Sequence, residues 1–330
     1  MSEEWGGSLD ALPAPDEAAA DAVRARAARV LRPSGALARL DEVAAWLAAW
    51  QRTPSPAVED PACLVAVADH GVAAEGVSAY PAEVTASMLR ALREGAATAA
   101  VMAESVGARL RVLDVGVGRP TGNLRVGPAL DATRFRECLE SGREAVAALG
   151  GDLLVLGEMG IGNTTAASAV CASLLGGPPE LWVGPGTGLD ARGVERKLRV
   201  VTEARERLEP DAHPFEVLAE VGGAELVALA GAALEARMRS TPVVLDGFVV
   251  TAAVLALEVA RPGALDHCVA GHRSQEPGHR LLLEKLGLRP LLDLELRLGE
   301  GSGGLLAVPL LRAAAASVVR VPTFEEWGLA

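Results

Sequence analysis

From residue 61 onward, short apolar runs alternate with longer alanine-rich stretches, and most runs stop abruptly on glycine or a carboxylate. The runs are Cys63–Ala68, Leu110–Val115, Leu153–Leu156, Leu181–Val183, Pro242–Leu245 and Leu265–Ala270. Between most of them lie helical patterns such as Ala82–Ser105, Thr164–Leu175, Val194–Glu209, Ala224–Met238 and Phe248–Ala260. A strand that is apolar at every position is buried on both faces. Such strands, separated by helix-length connections, predict an α/β fold with a mainly parallel sheet of about six strands and helices on both sides.

Composition narrows the partners. The chain has 330 residues and is half apolar, but only 3% aromatic, so alanine, leucine and valine must build the core. Few aromatics argue against a stacking platform for single-stranded nucleic acid. A formal net charge of -12 argues against a general nucleic-acid or anionic-membrane surface, though not against a small anionic substrate held by local N–H groups. Cys63, Cys138, Cys171 and Cys268 form no C-x-x-C pair and read as reduced, buried thiols of a cytoplasmic protein. The acidic start, Ser2-Glu-Glu4, does not resemble a secretory signal. The longest apolar stretches, Ala219–Ala236 and Leu305–Val319, are interrupted by charge or proline and are expected to be core helices rather than membrane spans.

The two ends differ from the middle. Residues 1–20 look frayed, and Asp21–Gln51 is helical in pattern with a turn at Arg32-Pro-Ser-Gly35. The proline-rich loop Arg52–Pro61 marks a boundary. At the other end, glycine-rich residues 296–304 lead into an apolar helix, Leu305–Val319, followed by a terminal turn. The expected organisation is a large α/β nucleotide-binding domain over residues 56–295 and a small discontinuous helical domain from 1–55 and 296–330.

Chemistry should gather at the strand ends, because ligands of parallel sheets bind beyond the carboxyl ends of the strands. After Leu153–Leu156 comes Gly157-Glu-Met-Gly-Ile-Gly-Asn-Thr-Thr165. Gly160, Gly162, Asn163 and Thr164 there suit a phosphate at a helix amino end, with Glu158 facing its neighbour; a tight turn with an Asn or Thr cap explains the same residues. The loop matches neither a Walker lysine pattern nor a clean dinucleotide fingerprint. A second loop, Gly184-Pro-Gly-Thr-Gly-Leu-Asp190, offers Gly186 and Gly188 and precedes Lys197, one of only two lysines in the chain. Glu300, between Gly299 and Gly301, is placed as a general base if it lines the site, or is an exposed turn residue if it does not. His272 and His279 stand in a spacing that fits no helical zinc signature, and the proline and glycine between them suggest a loop; Arg273 and Ser274 suit anion or hydroxyl contacts better.

Together these motifs resemble the nicotinate-nucleotide–dimethylbenzimidazole phosphoribosyltransferase family, in the same order over nearly the whole chain. Gly-Glu-Met-Gly-Ile-Gly-Asn-Thr-Thr (157–165) and Leu-Gly-Glu-Gly-Ser-Gly (298–303) carry most of the likeness. The resemblance implies a Rossmann-like sheet with a small helical domain from both termini, a homodimer, small-molecule substrates, and neither metal nor cofactor. It implies Glu300 as the general base and Glu158, Gly160 and Lys197 as contacts to the nucleotide and departing nicotinate. Ser78 and Leu298 would border the benzimidazole pocket, and Ser274 the phosphate side. Where the family usually carries glutamines after Ser78-Ala-Tyr-Pro81, this chain has Ala82 and Ser87; where serine and glycine are usual, it has Ala36 and Ala38. The first change touches the identity of the base more than the reaction. Two other classes remain open from sequence: a nucleotide-binding protein without catalysis, and an NAD-type dehydrogenase lacking a clean fingerprint.

Overall fold

The computed structural model describes residues 9–329. Its sheet has five strands, all parallel: β1 (Pro61–Ala68), β2 (Arg109–Gly116), β3 (Leu153–Met159), β4 (Val243–Leu245) and β5 (Cys268–Ala270). Their spatial order is β2-β1-β3-β4-β5. The order reverses between β1 and β3, where Pro61 pairs with Leu153 and Val67 with Met159. Such a reversal splays the loops at the carboxyl ends of the two strands and opens a crevice there.

The expected sixth strand, Leu181–Val183, does not form. Pro178 and Pro179 remove two ladder donors, and Pro179–Leu181 closes a 3-10 turn instead. Trp182 is then buried beside the helical layer, with its indole N–H donating to Gly176 O at 2.9 Å.

Alternation along the strands feeds two cores. Ala62, Leu64 and Ala66 of β1, with Leu154 and Leu156 of β3, face one layer. That layer holds α5 (Ala132–Leu149), α6 (Asn163–Leu175), α9 (Ala224–Met238) and α10 (Phe248–Ala260). Cys63, Val65 and Val67, with Leu153 and Val155, face the other. There lie α2 (Ala38–Gln51), α3 (Val84–Arg93), α4 (Thr98–Ser105) and α12 (Ser302–Val319). The two apolar faces are why these strands read as continuous rather than alternating runs. Helix α12 is long and apolar enough to cross a bilayer by composition, yet its Leu305, Val308, Leu311 and Val318 are buried in the protein.

The single helix read over Ala82–Ser105 is two, because the chain reverses through Gly95 at φ +78°. Helix α5 escaped the alanine-rich pattern because its exposed face is charged. Helices α7 (Ala191–Glu206), α8 (Pro214–Val221) and α11 (Pro277–Leu286) complete the order. The chain expected to be frayed is ordered into α1 (Glu17–Ala27) from Glu17 on, with Asp16 accepting from Ala19 N–H; residues 1–8 of that expectation lie outside the described residues. The two ends of the chain meet. Ala19, Ala20 and Val23 of α1 pack with Ala44, Ala48 and Trp50 of α2 and Val318 of α12. Arg26 donates to Val318 O, and Leu31 N–H to Pro322 O.

Candidate active site

The carboxyl end of β3 carries Glu158, and the chain then turns through Gly160–Gly162 into α6. Gly162 is the N-cap at φ +99°, a left-handed conformation that glycine adopts without penalty. No side chain caps this helix, which removes the Asn- or Thr-cap explanation of the motif. Asn163 instead sends its amide back to Glu158 Oε2, and Thr164 Oγ1 accepts from Lys197 Nζ at 2.8 Å. Asn163 and Thr165 N–H donate to Gly160 O and Gly162 O, and the positive dipole end of α6 carries no side-chain cap, an arrangement that suits an anion.

Lys197 is on α7 and wholly buried, far from the exposed helix lysine its position alone suggests. Its ammonium also donates to Gly184 O at 3.2 Å, tying the second glycine loop to the first. Burial pulls its pKa down to about 8, with the Glu276 carboxylate working against that. Burial pushes Glu276 the other way, above the usual carboxylate range, although Lys197 and the Gly186 N–H favour its charge.

Glu300 sits in a left-handed stretch, with φ of +87°, +62° and +83° at Gly299, Glu300 and Gly301. For a residue with a Cβ this costs about 1–2 kcal/mol and persists only when neighbours over-determine it. They do. Glu300 N–H donates to Glu158 O at 3.0 Å, Gly301 N–H to Asp246 Oδ2 at 3.1 Å, and Gly304 N–H to Asp246 Oδ1 at 2.9 Å. Asp246, at the end of β4, thereby caps α12 from outside the helix. Its carboxylate lies 3.5 Å from His272 Nε2. Burial opposes charge on His272, but the hydrogen bond and charge of Asp246 outweigh it and hold the imidazole pKa above its ordinary value.

Glu300 is 3% exposed, and its carboxylate faces the amino end of α4, with Oε2 3.4 Å from Ala99 N. Burial raises its pKa, the Ala99 N–H partly offsets this, and Asp246 adds to the rise. Glu158 is pushed further up, by burial first and then by Glu225 and Asp246; the Asn163 bond opposes them. Three carboxyls with raised pKa values, Glu158, Glu276 and Glu300, gather around the carboxyl end of β3 and mark the site electrostatically.

The cleft between these loops, part cavity and part open solvent, spans about 620 Å³. Its walls bring together Glu158, Gly160, Asn163, Thr164, Gly186, Ser274 and Leu298. Gly162, Gly188, Lys197 and Glu300 are not on its wall; Lys197 joins it through Thr164 and Glu300 through Glu158. Ser78 is half-buried on the segment before α3, its Oγ accepting from Tyr80 N–H, and is not on the cleft wall. The helix that follows it, α3, reaches the cleft through Thr85, whose Oγ1 accepts from Ile161 N–H at 3.1 Å. Another groove, at the amino ends of the strands, is lined by Gln51, Arg52, Asp152 and Thr241 and is more open. Location decides between them, since a parallel sheet presents its ligand-binding loops at the carboxyl ends.

Two residues play other parts than the sequence suggested. Arg273 turns away to Asp293, 2.6 Å from its carboxylate, and makes no anion site with Ser274. His279 lies in the first turn of α11, not in a loop, and Nδ1 accepts from Ser274 N–H at 3.0 Å. That leaves Nε2 to carry the proton toward Thr251 Oγ1, 3.2 Å away, whose hydroxyl donates to Gly247 O. Burial first, and His272 second, drop the His279 pKa to about 3, so it stays neutral. Sequence reasoning missed Asp246, Glu276 and Thr85 as site-building residues. Asp246 carried a signal as a carboxylate at a strand end; Thr85, inside a helix, carried none.

Comparison with known proteins agrees in extent. A family model described as Phosphoribosyltransferase matches residues 12–329. The nicotinate-nucleotide–dimethylbenzimidazole phosphoribosyltransferase of Novosphingobium aromaticivorans is 47% identical over 325 residues, covering 98% of this chain and 96% of that protein. The protein of the same name from Methylorubrum extorquens is 43% identical, covering 100% and 98%. The crystal structure of CobT from Thermus thermophilus superposes with a TM-score of 0.91 at 48% identity, covering 95% of this chain and 99% of that one.

Proposed function

The chain belongs to the nicotinate-nucleotide–dimethylbenzimidazole phosphoribosyltransferase family, and from that premise we propose how its cleft performs the exchange. The reaction takes nicotinate mononucleotide and 5,6-dimethylbenzimidazole to α-ribazole 5′-phosphate and nicotinate, in assembly of the lower ligand of cobalamin. The phosphate sits at the amino end of α6, against Gly160–Thr164, with Lys197 below and Gly186, Gly188 and Ser274 alongside. It is remote from the reacting carbon, so this grip positions the nucleotide rather than activating it.

Nicotinate bonded to ribose is a pyridinium and departs as a neutral ring nitrogen, needing no acid. Glu158 faces that cationic ring; its own pKa, pushed up by burial and by Glu225 and Asp246, falls back as the cation enters. The benzimidazole, between Leu298 and the Ser78 segment, attacks C1′ from the opposite face, which converts a β-linked nucleotide to an α-linked one. As its first nitrogen bonds to carbon, the N–H on the second becomes acidic. Glu300 takes that proton. The observation carrying this reading is the buried Glu300 carboxylate, held on its left-handed turn by Asp246 and the Glu158 carbonyl.

The chain acts as a cytoplasmic homodimer, with the helices from both ends of the chain as a small domain beside the sheet. Incubation with nicotinate mononucleotide and a panel of benzimidazole, purine and phenolic bases tests the reading. Nicotinate release with an α-linked product supports it. No release with any base makes the chain a nucleotide binder.

A further inference from the structure

Beneath the phosphate cradle, on the side away from the cleft, lies a pair that the reaction as described does not use. His70, just past the end of β1, places Nε2 2.6 Å from Oε1 of Glu225, in the first turn of α9. Both side chains are completely buried and 155 residues apart in sequence. Glycines of the cradle and of the turn before α9 pack against them. A methyl group at Gly160 would lie 3.1 Å from Glu225 Oε1 and 3.2 Å from His70 Cδ2. At Gly162 it would lie 3.5 Å from His70 Cβ, and at Gly223 only 2.3 Å from His70 Cε1. The imidazole thus fills the space between the cradle and the amino end of α9.

We propose that His70 and Glu225 are a positioning pair for the phosphate cradle: together they set the height of Gly160–Gly162 against β1 and so the aim of the α6 amino end at the nucleotide phosphate. The role rests on the placement of the phosphate proposed above. A short hydrogen bond in a dry interior is directional and resists displacement. Its two ends belong to the loop after β1 and to the first turn of α9, so the bond ties together the floor on which Gly160 and Gly162 rest. Neither residue touches substrate.

The test compares nicotinate mononucleotide with nicotinate riboside, which lacks only the phosphate. The ratio of their kcat/KM values, with dimethylbenzimidazole saturating, measures what the phosphate contributes. In His70→Leu the ratio falls about tenfold or more while kcat/KM for the riboside stays within about threefold of wild type. His70→Gln, whose amide N–H reaches Glu225, recovers most of the ratio. If the leucine variant does not fold, Glu225→Asp retracts the carboxylate by one methylene and lowers the ratio in the same direction. An unchanged ratio, or an equal loss on both substrates, overturns the proposal. Should wild type release no nicotinate from either compound, the catalytic reading fails by itself. The same ratio, taken on calorimetric Kd values for the two compounds, then decides the positioning role.

Discussion

Two glycine-bounded turns ride on the carboxyl end of β3, and they are built to opposite ends. Around Gly160–Thr164 the helix that follows has no side-chain cap, and the polar side chains in the motif turn sideways, Asn163 to Glu158 and Thr164 to Lys197. Around Leu298–Gly304 the backbone is spoken for: the N–H groups of Glu300, Gly301, Ser302 and Gly304 all donate within the protein. In the first turn Ile161, Asn163 and Thr165 N–H also donate within the protein, but no carboxylate takes the amides at the helix end; the second spends its backbone on holding one carboxylate. On the reading proposed above, similar glycine content serves binding in one place and catalysis in the other. Each turn also rests on a buried histidine–carboxylate pair, His70–Glu225 under the first and His272–Asp246 under the second.

The largest effect expected falls on the second turn. Glu300→Gln keeps the shape and removes the base, so kcat drops about 10²–10⁴-fold while KM for nicotinate mononucleotide changes little. Steady-state rates of nicotinate release measure both. A kcat within a few-fold of wild type would show that the held carboxylate is not the proton acceptor, and the contrast between the turns would lose its meaning.

Next comes the holding itself. Asp246→Ala strips the acceptors from Gly301 and Gly304 N–H, leaving two buried donors at about 1–3 kcal/mol each. Denaturant unfolding should show that loss, with kcat falling alongside. Asn163→Ala at the first turn removes one side-chain bond to Glu158 and should weaken nucleotide binding more than it lowers kcat. Equal patterns for the two variants would erase the distinction between a turn that binds and a turn that holds.

Acidity separates the turns again. Glu300 must be ionised to accept a proton, and burial raises its pKa, so kcat falls as pH drops through a value above the usual carboxylate range. Lys197 must be charged to support the phosphate, and burial lowers its pKa to about 8. In the free enzyme its charge is full well below that pH and lost above it, so KM for the nucleotide climbs as pH rises past about 8. Lys197→Arg, with a guanidinium that stays protonated, should flatten the alkaline limb and leave the acid limb in place. An acid limb that survives Glu300→Gln would have to be reassigned.

How much of this was legible in the sequence follows from the range of each interaction. The strands showed because burial on both faces writes an unbroken apolar run, as in Cys63–Ala68. Leu181–Val183 misled because three apolar residues look alike in a strand and under a helix, and the two prolines before them decide. The phosphate loop showed because glycines at a strand-to-helix junction are a local signal. What held Glu300 did not: Asp246 is 55 and 58 residues from the amides it caps. Nor did the burial of Lys197, which depends on Thr164 and Gly184 arriving from other parts of the fold.

The smallest effect concerns the base. Ala82 and Ser87 are exposed on the segment joined to the cleft by the Thr85–Ile161 hydrogen bond. The expected glutamines at these positions would add amide donors and acceptors at the rim of the base pocket, not beneath either turn. Ala82→Gln and Ser87→Gln should therefore shift the preference between dimethylbenzimidazole and a purine by no more than about tenfold, the size of one exposed hydrogen bond. The KM for nicotinate mononucleotide should not move. Competition between two bases for a limiting nucleotide, read as the product ratio, resolves such a shift. A change in nucleotide KM instead would place this segment with the phosphate cradle, and the Ile161 link would then be a route for coupling the two substrates.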